Sequence, residues 1–190
     1  MAERVDVVRN RAAILEAAEA LFRREDLDRV TLARIAETAG VGKATVLRRF
    51  GDLHGVVEAV LAPRVNALRD AVLTGTPPLG PGGQAHESLA AYLDALFDFV
   101  LDNRTLIRAL ERRRPHAYYA NPASQFWISE LDRRIHAAHL GADAGYLAHI
   151  LFTAMRADVI DYLRIERQMS TERIRAGLHA LLPPGAAPAT

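Results

Sequence analysis

TLARIAETAGVGKATVLRRF, running from Thr31 to Phe50, contains two short helices and the turn between them. Thr31 predicts an N-cap, since its hydroxyl can accept from a first-turn N–H that has no partner within the helix. Leu32, Ile35, Ala36 and Ala39 recur at helical spacing and make one apolar stripe. Gly40 follows where a helix end needs a residue that tolerates positive φ, and Val41 is placed to fold back as the plug of a tight turn. A second helix restarts from Gly42 or Lys43, with Val46 and Phe50 inward and Lys43, Thr45, Arg48 and Arg49 on the outer arc. An arc of that size and sign fits a major groove, so the stretch reads as a helix-turn-helix whose second helix does the reading.

On the N-terminal side, Met1 to Val5 reads as a short arm and Asp6 as the cap of a helix to about Arg24. Ile14, Leu15, Ala18, Leu21 and Phe22 form its buried face. Glu25 to Val30 then connect it to the Thr31 cap, with Leu27 pointing inward. Three helices in this order make a small bundle with the basic helix last.

ILEAAEALF at Ile14–Phe22, followed by VTLARIAETAGVGKATVLRRF at Val30–Phe50, resembles the DNA-binding domain of the TetR family of transcriptional regulators, over roughly Arg11 to Val60. The resemblance implies an all-α chain of about nine helices. Residues 1–51 would form an N-terminal three-helix helix-turn-helix domain. Residues 52–182, with a loop at 74–84, would form a C-terminal helical domain that binds a ligand and dimerises, followed by a disordered tail at 183–190. It places Thr31, Lys43, Ala44, Thr45, Leu47, Arg48, Arg49 and His54 at the DNA. Three positions depart from the family pattern. Asp26 stands where a glycine commonly ends the first helix, and aspartate tolerates a left-handed cap. Leu47 replaces an aromatic residue whose hydroxyl reaches a phosphate. Leu53 replaces a basic residue at the start of the fourth helix, beside His54.

That fourth helix runs from about Asp52 to Leu73 with Pro63 inside it, which predicts a bend or break near Leu61 to Arg64. TGTPPLGPGGQ, Thr74 to Gln84, is a loop by composition and lacks the lysine and hydroxyl of a phosphate-binding loop. Leu89, Tyr92, Leu93, Leu96, Phe97 and Val100 mark an apolar helix from Ala85 to near Asp102. Asn103 can cap a shorter one to about Arg113, stopped by Pro115. Asn121 and Pro122 start a helix to about His139, Asp143 a long one to about Gln168, and Ser170 a last one to near Leu182. No period-2 alternation predicts a strand.

Half of the 190 residues are apolar, enough for a core, and the net charge of +1 does not by itself point to nucleic acid. Residues 1–60 carry ten basic and ten acidic side chains, so any basic face there is made by geometry. The absence of cysteine rules out disulfides and thiolate metal sites and fits a cytoplasmic setting. No apolar run reaches membrane-spanning length, and the N-terminus lacks a signal-peptide core. Ser88, Ser124, Ser129 and Ser170 lack a nucleophile-elbow context, and no HExxH is present, so no catalytic residues and no cofactor are expected. His136 and His139 have helical i, i+3 spacing, but a solvated face is expected in place of a metal site. Arg112, Arg113 and Arg114 favour a helix C-terminus and water.

For the body, a mixed ligand cavity would draw on Tyr118, Tyr119, Phe126, Trp127, His149, Phe152 and Arg156. Arg156 and Asp158, inside so apolar a helix, must be paired, solvated or facing a polar ligand. The resemblance adds a homodimer interface, with Ile150, Ala154, Asp158, Tyr162, Ile174, Leu178 and Leu181. It also implies a palindromic double-stranded operator with half-sites about 34–36 Å apart. The expected activity is therefore transcriptional regulation, most often repression, relieved by a small-molecule effector. A DNA-binding regulator without an effector is the alternative, and an all-α enzyme the remote one.

Overall fold

The computed structural model describes residues 2–25, 27–111, 117–140 and 143–182, and the described residues contain helices and turns but no strand. The readings of Asp26, of the Arg112–Arg114 run and of the tail from residue 183 lie outside them. The chain packs as two units, Met1–Arg64 with Thr105–Arg113, and Val65–Arg104 with Arg114–Thr190.

In the first unit, α1 spans Ala2–Arg24, followed by a 3-10 turn at Leu27–Arg29, α2 at Leu32–Thr38, α3 at Lys43–Phe50 and the first half of α4, Leu53–Thr74. The expected arm at residues 1–5 is helical from Ala2 onward. Ile14, Ala18, Leu21 and Phe22 of α1 meet Ile35 and Ala36 of α2 and Val46 of α3 in a common core, as their spacing predicted. Leu106 and Ile107, from α6 at Arg104–Glu111, are also buried. Glu19 binds both Arg23, at 3.0 Å, and Arg64. The α4 helix continues through Pro63 without interruption, so of the expected bend or break the break does not occur. Pro63 is exposed, so water can take the carbonyl that its missing N–H leaves free.

In the second unit, α5 (Ala85–Asp102) buries the six residues that its period marked: Leu89, Tyr92, Leu93, Leu96, Phe97 and Val100. It packs on α8 (Pro122–Ala137), which follows the short α7 (Ala117–Ala120). Asn121 caps α8 by accepting from the Ser124 N–H at 2.9 Å, with Pro122 in the first turn. The helix expected from 143 to 168 is in fact three pieces: α9 (Ala144–Ala154), α10 (Ala157–Asp161) and a π turn at Tyr162–Glu166. The break comes at Arg156, which adopts φ −56° and ψ 140°. Its guanidinium grips Asp158 with two bonds of 2.9 and 2.8 Å, a local alternative to continuing the helix. These pieces and α7 raise the number of helical segments above nine.

The last helix, α11 (Thr171–Ala180), is capped by Ser170 and lies against α5. Ile174 and Leu178, four apart, are buried within the unit. Arg175 and His179 beside them reach Asp94, at 2.9 Å each, and Arg175 also binds Asp98. Burial raises the Asp94 carboxyl, but the hydrogen bonds from His179 and Arg175 outweigh it and hold the group below its ordinary value.

One residue that the sequence did not single out organises this unit. Arg134 of α8 is only 2% exposed. Its guanidinium donates to the Leu79 carbonyl at 2.6 Å, the Ser88 carbonyl at 2.9 Å and the Ser88 hydroxyl. It also lies 4.7 Å from the Tyr92 ring centre and 3.4 Å from a Glu130 carboxylate oxygen. The Gly/Pro-rich loop and the start of α5 are thereby tied to α8 by one side chain.

Candidate nucleic-acid interface

Both ends of α2 are closed. The Thr31 Oγ1 accepts from the Arg34 N–H at 3.3 Å, with Thr31 extended at φ −128° and ψ 160°. Its hydroxyl proton is still able to donate outward, since a hydroxyl both accepts and donates. At the C-terminal end, Val41 N–H donates to Ala36 O at 2.9 Å and Gly40 N–H to Glu37 O at 3.1 Å. This is the paired closure that requires a left-handed residue, and Gly40 supplies it at φ +66°. Gly42, extended at φ −70° and ψ 141°, then starts α3. Helix α3 is thus set by a four-residue turn, Ala39 to Gly42, with no slack.

Across the end of α3, Asp52 caps α4 by accepting from the Gly55 N–H at 3.0 Å. Gly55 is there for space: a Cβ would stand 2.0 Å from the Phe50 carbonyl oxygen. Arg11 of α1 lies 5.9 Å from the Phe50 ring centre, which holds the same corner from the other side.

Lys43, Ala44, Leu47 and Arg48 are exposed together on α3, while Val46 is fully buried. At 100° per residue they follow one another around the arc in the order Lys43, Leu47, Ala44, Arg48. Arg49 was expected on this arc but is half-buried, with its Nε buried and unpaired among the described residues. The reason is its position three residues after Val46, which places it on the core-facing side. Thr45 is half-buried as well. His54 is half-buried on α4, its Nδ1 3.5 Å from the Glu58 carboxylate, so an acidic neighbour competes for it. Arg9 and Arg11 lie on α1.

The sequence profile of the bacterial regulatory proteins of the tetR family matches residues 14–60, which run from the first core residue of α1 through the corner just described. Residues 14–60 are thus similar to the bacterial regulatory proteins of the tetR family. A helix-turn-helix-type transcriptional regulator of Staphylococcus aureus (strain bovine RF122 / ET3-1) is 29% identical over 109 residues, 57% of either chain. The regulator BetI of Escherichia coli is 40% identical over 68 residues, 36% of this chain and 34% of its own. The chain thus aligns over little more than half, or less, of the curated relatives it matches. Among solved structures, a TetR-family regulator from Rhodococcus sp. superposes with TM-score 0.64 at 23% identity, covering 91% of this chain and 96% of its own. A transcriptional regulator from Saccharomonospora viridis in complex with choline gives 0.66 at 21%, covering 90% and 93%. These two likenesses establish a TetR-type all-helical fold.

In the body of the chain, the expected ligand residues fall into separate groups. Tyr118 and Phe152 are buried and stack at 4.9 Å, with Tyr119 edge-on at 5.2 Å from Tyr118 and its hydroxyl 3.2 Å from Thr153 Oγ1. Arg156 lies 5.0 Å from the Tyr118 ring centre. Phe126 and Trp127 pair at 4.8 Å in another group, with Arg69 4.8 Å from the Phe126 ring centre. His149 is exposed and bonded 2.8 Å to the Gly145 carbonyl of its own helix, so it joins neither. An open cleft of about 560 Å³ lies elsewhere, lined by Arg104, Arg164, Ile165, Gln168, Met169, Ser170, Thr171 and Glu172. The sequence marked none of these as a ligand residue.

The expected interface residues also divide. Ile150, Tyr162 and Leu181 are 38%, 54% and 46% exposed, joined by Tyr146 and Ile165, which the sequence did not mark. Ala154 and Asp158 are half-buried. Ile174 and Leu178 belong to the unit's own core, because α11 turns that side to α5. His136 and His139 are exposed, and no cluster of metal-ligating side chains occurs among the described residues. No described helix is long and apolar enough to cross a membrane.

Proposed function

We propose that this chain is a homodimeric, DNA-binding transcriptional regulator that represses from a palindromic operator and releases it when a small molecule binds the body. The observation that carries the reading is the exposed arc Lys43, Leu47, Ala44, Arg48 on a short helix anchored at both ends. Two such helices, one per subunit, would enter successive major grooves. The exposed apolar side chains Tyr146, Ile150, Tyr162, Ile165 and Leu181 support pairing with a second copy. The effector would act by its differential affinity for two spacings of the reading helices.

For the effector, the choline bound to the Saccharomonospora viridis relative makes a small organic cation the first class to test. Tyr118, Tyr119 and Phe152 offer aromatic faces, and Arg156 already lies over one of them. The same close packing favours a second reading, a regulator with no small-molecule ligand.

Footprinting on DNA flanking the chain's own gene, at stated salt, tests the regulator reading. We expect a protected palindrome. Binding no tighter than about 10⁻⁴–10⁻⁶ M on every sequence would sink it. Titrating choline into the complex separates the two effector readings: release supports a cationic ligand, and unchanged protection removes this class.

A further inference from the structure

On the regulator reading proposed above, we infer that Leu47 is a specificity-determining residue that recognises the C5-methyl group of a thymine in each operator half-site. Leu47 is 51% exposed. It shares a face with Lys43, four residues before it, and Ala44, three before it, both exposed. The centre of the reading arc is therefore an apolar strip, Leu47 with Ala44, flanked by the cations Lys43 and Arg48. The flanking charges suit phosphates or guanine edges, and they complement the DNA around the strip. A leucine side chain has no donor or acceptor, so it cannot take the phosphate. In the major groove, the apolar feature that distinguishes one base pair from another is the thymine methyl. Thr45, which also carries a methyl group, is half-buried and lies off this strip.

The test uses the full-length protein on its footprinted operator. Each thymine is replaced in turn, in both half-sites, by deoxyuridine, which removes the methyl and leaves every hydrogen-bonding group in place. Wild type should prefer thymine at one symmetric pair of positions by about fourfold per half-site, the affinity equivalent of one buried methyl group. Leu47→Ala should bind the thymine and uracil duplexes alike at that pair. Because Leu47 is exposed, this variant should keep the wild-type circular dichroism spectrum and melting temperature. Sequence-specific binding with no methyl-dependent position overturns the inference and leaves the regulator reading intact. So does a thymine preference that persists in Leu47→Ala but disappears in Thr45→Ser. Failure to find any specific site overturns both.

Discussion

Arg134 is a buried cation whose donors meet carbonyls and a hydroxyl on two other segments, so its removal would leave those acceptors dry as well as open a hole. Breaking such a set by removing one partner costs about 3–5 kcal/mol. Arg134→Met is expected to lower the unfolding free energy from urea melts by that amount, and Arg134→Lys to recover little, because an ammonium cannot reproduce the planar fork. Gly55→Ala belongs to the same scale. A Cβ 2.0 Å from the Phe50 carbonyl forces the α3–α4 corner to move. We expect a loss of about 1–3 kcal/mol in urea melts, the usual cost of overpacking, with operator affinity falling as the recognition helix shifts. His139 points the other way. It closes α8 with its N–H on the His136 carbonyl while holding φ at +50°. Glycine adopts that backbone without strain, so His139→Gly should raise stability by about 1 kcal/mol. A drop in stability would show that the imidazole makes a contact that outweighs the strain.

The helix ends were the most legible elements in the sequence, because caps and apolar periods are local properties. Thr31, Gly40, Asn121, Asp143 and Ser170 each close or open a helix as their chemistry predicts, and α5 buries the residues its period marks. Local signals failed where a competing interaction decided the outcome. Arg156 and Asp158 are compatible with a helix by propensity, and their bidentate pair, visible only in three dimensions, interrupts it. Ile174 and Leu178 have a helical apolar spacing that says a face is buried but not against what, and here the partner is α5. On α3 the helical spacing put Val46 and Phe50 inward and every basic residue outward. The phase of the helix, set by Val46, instead turns Arg49 inward and leaves Leu47 in the middle of the exposed arc. Fine site geometry therefore required the width of the buried side around Val46, which takes in Thr45 and Arg49 as well.

The whole molecule responds to pH through carboxylates held by arginine. Glu130, like Asp94, lies below its ordinary value; burial raises it, but the Arg133 and Arg134 contacts prevail. A carboxyl with a lowered folded pKa stabilises above its unfolded value, ordinarily 3.8 for Asp94 and 4.5 for Glu130, and that contribution is lost as pH falls below it. Stability should therefore hold from neutral pH down to about 5 and fall below that, and Asp94→Asn should make the acid limb shallower. On the proposed homodimer, assembly would set operator affinity at the same scale. If one copy reads each half-site, joining two copies makes the second contact intramolecular and adds roughly 10²–10⁴ in affinity without any new DNA contact. Ile150 and Tyr162 are exposed apolar side chains, so placing charge there disturbs little within one copy while opposing apolar pairing. Ile150→Arg with Tyr162→Arg should sediment as a monomer and keep its helical spectrum. It should bind the full palindrome about 10²–10⁴ times more weakly than wild type, and no better than it binds a single half-site. A variant that stays dimeric would move the interface to another face. A monomer with undiminished affinity for the palindrome would show that one copy alone reads the operator.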